Sequence, residues 1–556
     1  MSERLSPRTG GAVAAAKRWA LPIALAIGLR AFTLTPGLPY IAYVDEGHVL
    51  HPTEQLLRSG SWDPGYYGYP PLPFYLISFA AKGVDCFQRA VTTGRSLVDN
   101  IPSPDEVFTP DGPLYDIVGP TELIAAGRLV MLFLGVGTVL VSGLLGRTVF
   151  DPRTGWVAAL IVACCPSFVR RGSFVMVDTP TTFFAALALY LVARSCRPDQ
   201  DAGDGVARPS HVLAFGAGLA GAFATASKYS AIALVPVALA AVLVAAPTVS
   251  RAVRLAVALG AGLLAGLAVG LPTLALRFHE SVNALRIQTG SYAFWGATPS
   301  YWQSAVQTYE LGVPLLLCAA AGLWQMLRRR EHRATAWTWM LFATLLTLPF
   351  LRYGFQPFRN LLPLCPLVAV AGAHFIVGAF GRTQGDKAAL SVRSVGVLAA
   401  AAVALSFGTG LLRFHDGLVR RDSRVEAIDW LVQRVQPGDQ VLVLRELAIL
   451  PSEIRRLPVE TRVLPCERLK KVAGSAPSAY LIIGVPQRGA PADAGLGAGC
   501  DALFSSASAV ASFGSAPTPP YPTYWRTNQE ALRILKTTDP PAPGPSPGPL
   551  AEQRPL

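Results

Sequence analysis

The sequence predicts an α-helical polytopic membrane protein, with about eleven transmembrane helices followed by a small extracytoplasmic α/β domain. Three observations predict it. Of 556 residues, 51% are hydrophobic and only 15% charged, against about a quarter charged in a soluble globular protein. Apolar stretches of bilayer-spanning length recur along the chain. Between them, the basic residues fall in every second connection.

The apolar stretches lie near 19–37, 123–146, 155–169, 174–193, 211–226, 229–247, 253–276, 306–327, 335–351, 360–380 and 394–413. No A-x-A cleavage pattern follows the first, so it reads as an anchor and not a signal peptide. Arg4, Arg8, Lys17 and Arg18 precede it. Further basic groups are Arg147 and Arg153; Arg194, Arg197 and Arg208; Arg251 and Arg254; Arg328, Arg329, Arg330 and Arg333; and Arg382, Lys387 and Arg393. Placing these inside puts the N-terminus in the cytoplasm and, with an odd number of spans, everything after 413 outside. The formal net charge of +13 is then mostly topogenic, and a nucleic-acid partner is excluded.

The expected organisation is a cytoplasmic tail at 1–18, a membrane domain at 19–413, an outer α/β domain at 414–535 and a Pro-rich disordered tail at 536–556. A long first outer loop, 38–122, carries ten acidic residues between 38 and 121 against four basic ones. In the outer domain, Ser423-x-x-Glu426 reads as a capping box opening an amphipathic helix. Val441–Leu444 and Tyr480–Val485 read as strands. The eight cysteines show no metal spacing; Cys466 and Cys500 form a disulfide or remain two thiols, depending on the compartment.

Four features carry candidate chemistry. Asp45 and Glu46, just past the first span, are two adjacent carboxylates at the membrane surface, where desolvation is costly. One can take a proton from a hydroxyl while its neighbour orients it; the plain alternative is a solvated loop. His48 and His51 add His-x-x-His spacing without a fixed third ligand, so a divalent metal stays open and no cofactor is assigned. Next, the aromatic run around Tyr69-Pro70-Pro71 and Tyr75 suits an interfacial belt, and equally stacking on a sugar or an isoprenoid. A helix start after Pro71 fits the double proline.

Third, Arg170, Arg171, Lys228, Arg352 and Arg359 sit at outer turns against the inside rule, with Tyr353 in the last of these loops. They suit a phosphate headgroup, or snorkel to lipid. Fourth, Asp178 stands at the outer start of a span, as a helix cap or a second functional acid. Gly216-x-Gly218-x-x-Gly221 matches a dinucleotide fingerprint but lies inside an apolar span, where close helix packing explains it.

Together, Asp45-Glu46 in a long first outer loop, Tyr-Pro-Pro-Leu, an Arg-rich turn before Phe-Val-Met-Val-Asp178-Thr-Pro, and Arg359-Asn-Leu-Leu-Pro resemble the GT-C glycosyltransferases. The similarity is to the protein mannosyltransferase and lipid A aminoarabinose transferase branch, family 39-like, over roughly 15–380. The resemblance implies sugar transfer from a polyprenyl-phosphate carrier to a hydroxyl acceptor (protein, lipid or glycan) outside the cytoplasm. It implies Asp45 as catalytic acid-base with Glu46 in support and Asp178 as the second acid. It implies Arg170, Arg171, Lys228, Arg352 and Arg359 as contacts for the carrier phosphate, and Tyr69, Tyr75 and Tyr353 as sugar or lipid contacts. Tyr69 departs from the lysine of the aminoarabinose branch. Two other classes are a transporter or flippase, which would place charges at the midplane and show two related halves, and a non-catalytic envelope-assembly component.

Overall fold

The computed structural model describes residues 8–91 (without 36 and 41–43), 97, 108–109, 112–113, 119, 121–196, 210–246, 248–294, 299–380, 387–419, 422–444, 447, 449, 451–464, 468–469, 472, 479–484, 508–513 and 532–537. Cys466, Cys500 and the tail from 538 onward lie outside these residues. The chain divides into two compact units. One comprises Met1–Thr35, Asp45–Pro102 and Gly119–Gly417; the other comprises Pro36–Val44, Ser103–Val118 and Leu418–Leu556.

The first unit is helical. Each apolar stretch in the sequence coincides with a helix over most of its length. Length and apolarity suffice for a membrane crossing in four of them among the described residues: Thr121–Val149, Val249–Gly270, Phe358–Phe380 and Arg393–His415. Trp19–Ala31, Pro152–Cys164, Tyr229–Ala245 and Val313–Arg328 are apolar but shorter. Two expected stretches are interrupted. The third breaks at Cys165, where Pro166 opens a separate short helix, Pro166–Arg171, because a proline has no amide to continue the ladder. The stretch from 306 becomes helical only at Val313, since Gly312 turns the chain with a φ of 75°.

The segment after the first apolar helix contains two helices, Val44–Ser59 and Leu72–Val91. The second starts directly after Pro70-Pro71, whose fixed φ pre-organises an entering turn.

The second unit holds a five-stranded sheet in the order β4-β3-β5-β7-β6. Its strands are β3 (Gln440–Leu444), β4 (Glu460–Leu464), β5 (Ala479–Gly484), β6 (Ser508–Phe513) and β7 (Leu532–Thr537); the two-residue strands β1 (Phe108–Thr109) and β2 (Gly112–Pro113) pair separately. β3 runs parallel to β4 and β5, while β7 is antiparallel to β5 and β6. The helix Ser423–Val432 contributes Ala427, Ile428 and Leu431 to the core shared with β3 and β5. Its N-cap is Asp422, whose carboxylate accepts from the Arg424 amide. The cap expected on Ser423 therefore falls one residue earlier, and the expected box with Glu426 does not form, since Val425 then stands at N3; Asp is as good a cap as Ser, and its carboxylate also binds the Arg424 guanidinium.

The glycine pattern at 216–221 is a packing seam. A Cβ on Gly218 would lie 1.9 Å from the Leu259 carbonyl oxygen, and one on Gly262 would lie 1.9 Å from that of Phe215. The helices Ser210–Ser227 and Val249–Gly270 thus touch backbone to backbone, as small residues permit in a bilayer. Gly262→Ala should lower the stability of the detergent-solubilised protein by about 1–3 kcal/mol. A thermal melt of wild type against variant reads this directly; an unchanged midpoint would show that the seam can open.

Candidate functional site

The site is built on one short segment. Phe358–Leu364 forms a tight 3₁₀ turn leading into the helix Cys365–Phe380, and three consecutive side chains at its start touch three separate charged groups. The Arg171 guanidinium stands over the Phe358 ring, 5.6 Å from its centroid. Arg359 forms an ion pair with Asp45. Asn360 accepts from the Lys228 ammonium at 2.8 Å and donates to the Tyr301 hydroxyl at 3.2 Å.

Asp45 and Glu46 open the helix Val44–Ser59, a favourable place for carboxylates because the exposed amides of a first turn carry partial positive charge. Their fates differ. Glu46 is fully buried, and both its oxygens receive the forked guanidinium of Arg128, at 3.0 and 3.1 Å. The Val175 amide adds a third bond at 3.1 Å. Arg128 in turn donates to the Leu34 carbonyl at 3.1 Å. Glu46 thereby ties the start of its helix to the helix Thr121–Val149 and to the segment before Asp178. It supports Asp45 by fixing the backbone beside it.

Asp178 is the first residue of its helix and makes no side-chain cap, contrary to the capping expectation. Its carboxylate instead binds Lys228 at 2.6 Å. Lys228 follows the helix Ser210–Ser227 in an extended conformation, so its side chain is free to reach sideways to Asp178 and Asn360.

Arg170 and Arg171 end the helix Pro166–Arg171 and are both buried. They share one carboxylate, Glu310, which receives Arg171 at 2.6 and 2.8 Å and also contacts Arg170. Two guanidiniums on one carboxylate leave a net charge of one. Behind them, Arg30 is completely buried. It donates to the carbonyls of Ala26 and Ala163, and its Nε and Nη2 find no hydrogen-bond partner among the described residues.

The remaining sequence candidates are placed outside this cluster. Arg352 is exposed and binds the neighbouring Tyr353 hydroxyl at 2.5 Å; the Tyr353 ring packs 5.9 Å from Tyr292. Tyr75 is buried, with its hydroxyl on the Trp62 carbonyl at 2.8 Å, so it holds the preceding loop in place. Tyr69 packs against Tyr66 at 6.2 Å. That loop is also pinned by Asp63, which accepts from the Gly65 amide, Tyr67 and Arg277. Burial opposes ionisation of Asp63, yet these three donors together hold its carboxyl below the usual range. The Tyr229 hydroxyl reaches the Tyr67 carbonyl at 3.2 Å, linking the loop to the residue after Lys228.

His48 is half-buried, and His51 pairs with Glu54 at 2.9 Å. Among the described residues, no group of three His, Cys, Asp or Glu side chains converges to hold a metal.

Sequence reading did not single out Arg30, Arg128, Glu310 or Asn360. The first three stood inside expected apolar spans, where an isolated charge is itself a signal. Asn360 carried no comparable signal, and only the fold brings it to Lys228. Glu46→Gln should leave Arg128 buried without its countercharge and cost about 3–5 kcal/mol. The expected readout is a lowered melting temperature or loss of folded protein; a variant with native stability and lost activity would instead make Glu46 a participant in the chemistry.

Residues 117–275 match the family described as Dolichyl-phosphate-mannose-protein mannosyltransferase. No curated protein matches the whole chain or part of it by sequence. Among solved structures, ArnT from Cupriavidus metallidurans bound to undecaprenyl phosphate superposes with a TM-score of 0.52 at 15% identity, covering 93% of this chain and 97% of ArnT. The Archaeoglobus fulgidus oligosaccharyltransferase in the apo form gives a TM-score of 0.51 at 13% identity, over 84% of this chain and 69% of that one. Identities this low speak for architecture: the chain has the GT-C fold of these membrane glycosyltransferases.

Proposed function

We propose that the protein is a multi-pass membrane glycosyltransferase that moves a sugar from a polyprenyl-phosphate carrier to a hydroxyl acceptor on the extracytoplasmic side. The observation that carries this reading is the convergence of Asp45, Arg359, Lys228 and the Arg170–Arg171 pair on the turn Phe358–Leu364. It places a carboxylate beside several cations, which is what such a transfer requires.

The donor leaves as a phosphate, so no strong general acid is needed. The acceptor oxygen attacks the anomeric carbon, and the new C–O bond forms as its proton passes to Asp45. The anomeric carbon–oxygen bond to phosphate breaks with its electron pair going to the carrier phosphate. A single displacement of this kind inverts the anomeric centre. In this reading Arg170, Arg171, Lys228 and Arg359 face the phosphate, Asp178 orients Lys228, and Arg352, Tyr353 and Tyr69 line the approach.

An apolar groove of about 450 Å³ adjoins the site through Tyr301 and Phe358 and supports a lipid donor. Tyr301 and Phe358, which touch the charged cluster, line it together with Trp339, Leu361, Leu367 and Val368. Its lining suits an isoprenoid chain whose headgroup reaches the charged turn. The same reading places the N-terminus in the cytoplasm, eleven helices across the plasma membrane, and the 414–535 region outside, followed by the 536–556 tail. A transporter would need charges at the midplane on two related halves, and the charged residues here gather around one turn.

Purified protein in nanodiscs, supplied with a panel of polyprenyl-phosphate sugars, tests the proposal through release of free polyprenyl phosphate. Wild type should release it from at least one donor, and Asp45→Asn should lower kcat by about 10²–10⁴-fold. Equal release by both would remove Asp45 from the reaction. No release from any donor by folded protein, with acceptors supplied, would favour the non-enzymatic readings.

A further inference from the structure

The charges around the turn do not stay constant through the proposed reaction, and their bookkeeping assigns Arg359 a second task. At rest, Asp45 and Arg359 form a mutually neutral pair, as do Asp178 and Lys228. Arg170, Arg171 and Glu310 together keep one positive charge. The donor is a phosphodiester with a single negative charge. The product is a phosphomonoester carrying about −1.5 to −2 at neutral pH, by the same second ionisation as any monoester. The site must therefore gain positive charge during the step, without a side chain arriving from outside.

Asp45 supplies that gain indirectly. When its carboxylate takes the acceptor proton, the countercharge of Arg359 disappears. Arg359 and Asp45 are each only about one-eighth exposed, at 13% and 12% of their side-chain surface, so water compensates little for the loss. The flanking residues meet cations of their own: Phe358 packs on Arg171, and Asn360 holds Lys228. Arg359 thus shares one turn with the contacts of two other cations of the site, Arg171 and Lys228.

We infer that the Asp45–Arg359 pair is a partner-exchange switch: protonation of Asp45 frees Arg359 for the departing phosphate, so deprotonation of the acceptor and departure of the leaving group are coupled through one ion pair. This inference rests on the proposed function. It assigns Arg359 chiefly to the product state and the late transition state, with a smaller part in holding the donor. It also makes the ionised form of Asp45 a brake on product rebinding, because the carboxylate competes with phosphate for the same guanidinium.

The test is equilibrium binding of a fluorescent polyprenyl monophosphate to nanodisc-embedded protein, with the uncharged polyprenol as a control for the tail. Asp45→Asn, a neutral isostere of the protonated acid, should bind the monophosphate roughly tenfold more tightly than wild type. It should bind the polyprenol equally. Arg359→Gln on the Asp45→Asn background should abolish the gain, and Asp45→Ala repeats the measurement should the first variant fold poorly. Equal monophosphate affinity of wild type and both Asp45 variants would overturn the switch while leaving the glycosyltransferase reading standing. A tighter Asp45→Asn complex that persists without Arg359 would overturn it too, since the carboxylate would then act by simple repulsion. Absence of monophosphate binding by every form would remove the functional reading and the switch together.

Discussion

The central constraint on this structure is the cost of keeping ions out of water. Arg128 and Glu46 are fully buried, and Glu310, Asp178, Arg170 and Arg171 nearly so. An isolated charge in such surroundings is prohibitively unfavourable, and a buried pair is tolerated only when its geometry is good and its other hydrogen-bonding positions are filled. Each of these groups meets that demand by binding a partner on a different element. Glu46 reaches Arg128 across 82 residues, Asp178 reaches Lys228 across 50, and Glu310 reaches Arg171 across 139. Electrostatics that a catalyst needs at one point therefore also dictates which helices lie together.

The two duties fall on different residues. Glu46 has both oxygens and a backbone amide committed, so it is a fixed strut. Asp45, its neighbour in sequence, has one cationic partner on a turn that also meets Lys228 and Arg171. A pair of adjacent carboxylates thus separates into one locked by three hydrogen bonds and one held by a single ion pair, as the first turn of a helix directs successive side chains to different sides. Sharing Glu310 between two arginines has a comparable logic: it keeps both guanidiniums folded into the interior while leaving part of their charge uncompensated.

Much of this was legible beforehand, and the reasons are specific. Apolar length located the helices, because burial in lipid demands continuous runs such as 123–146. Asp45, Lys228 and Arg359 stood out because charges beside a bilayer need a reason to be there. Short continuous apolar runs located β3 and β5. The pairings were not legible. Nothing local in the sequence says that Arg128 belongs to Glu46 or that Asn360 belongs to Lys228, since both contacts arise from the crossing of distant helices. The Ser423 cap was misplaced by one position for a related reason: two neighbouring residues were both competent caps, and the Arg424 side chain decided between them. The strand β6 lies in a run rich in Ser and Ala that announces no sheet, and it is ordered by pairing with β7, which pairs in turn with β5.

The glycine seam between Ser210–Ser227 and Val249–Gly270 has a mechanical consequence. With carbonyl oxygens filling the space of absent side chains, neither helix can rotate about its axis or slide along its mate without driving backbone into backbone. The two therefore behave as one stiff beam. Lys228 is attached at the end of that beam, directly after Ser227, and inherits its stiffness. The architecture thus sets an anvil under the ammonium of Lys228, the cation that Asp178 and Asn360 share.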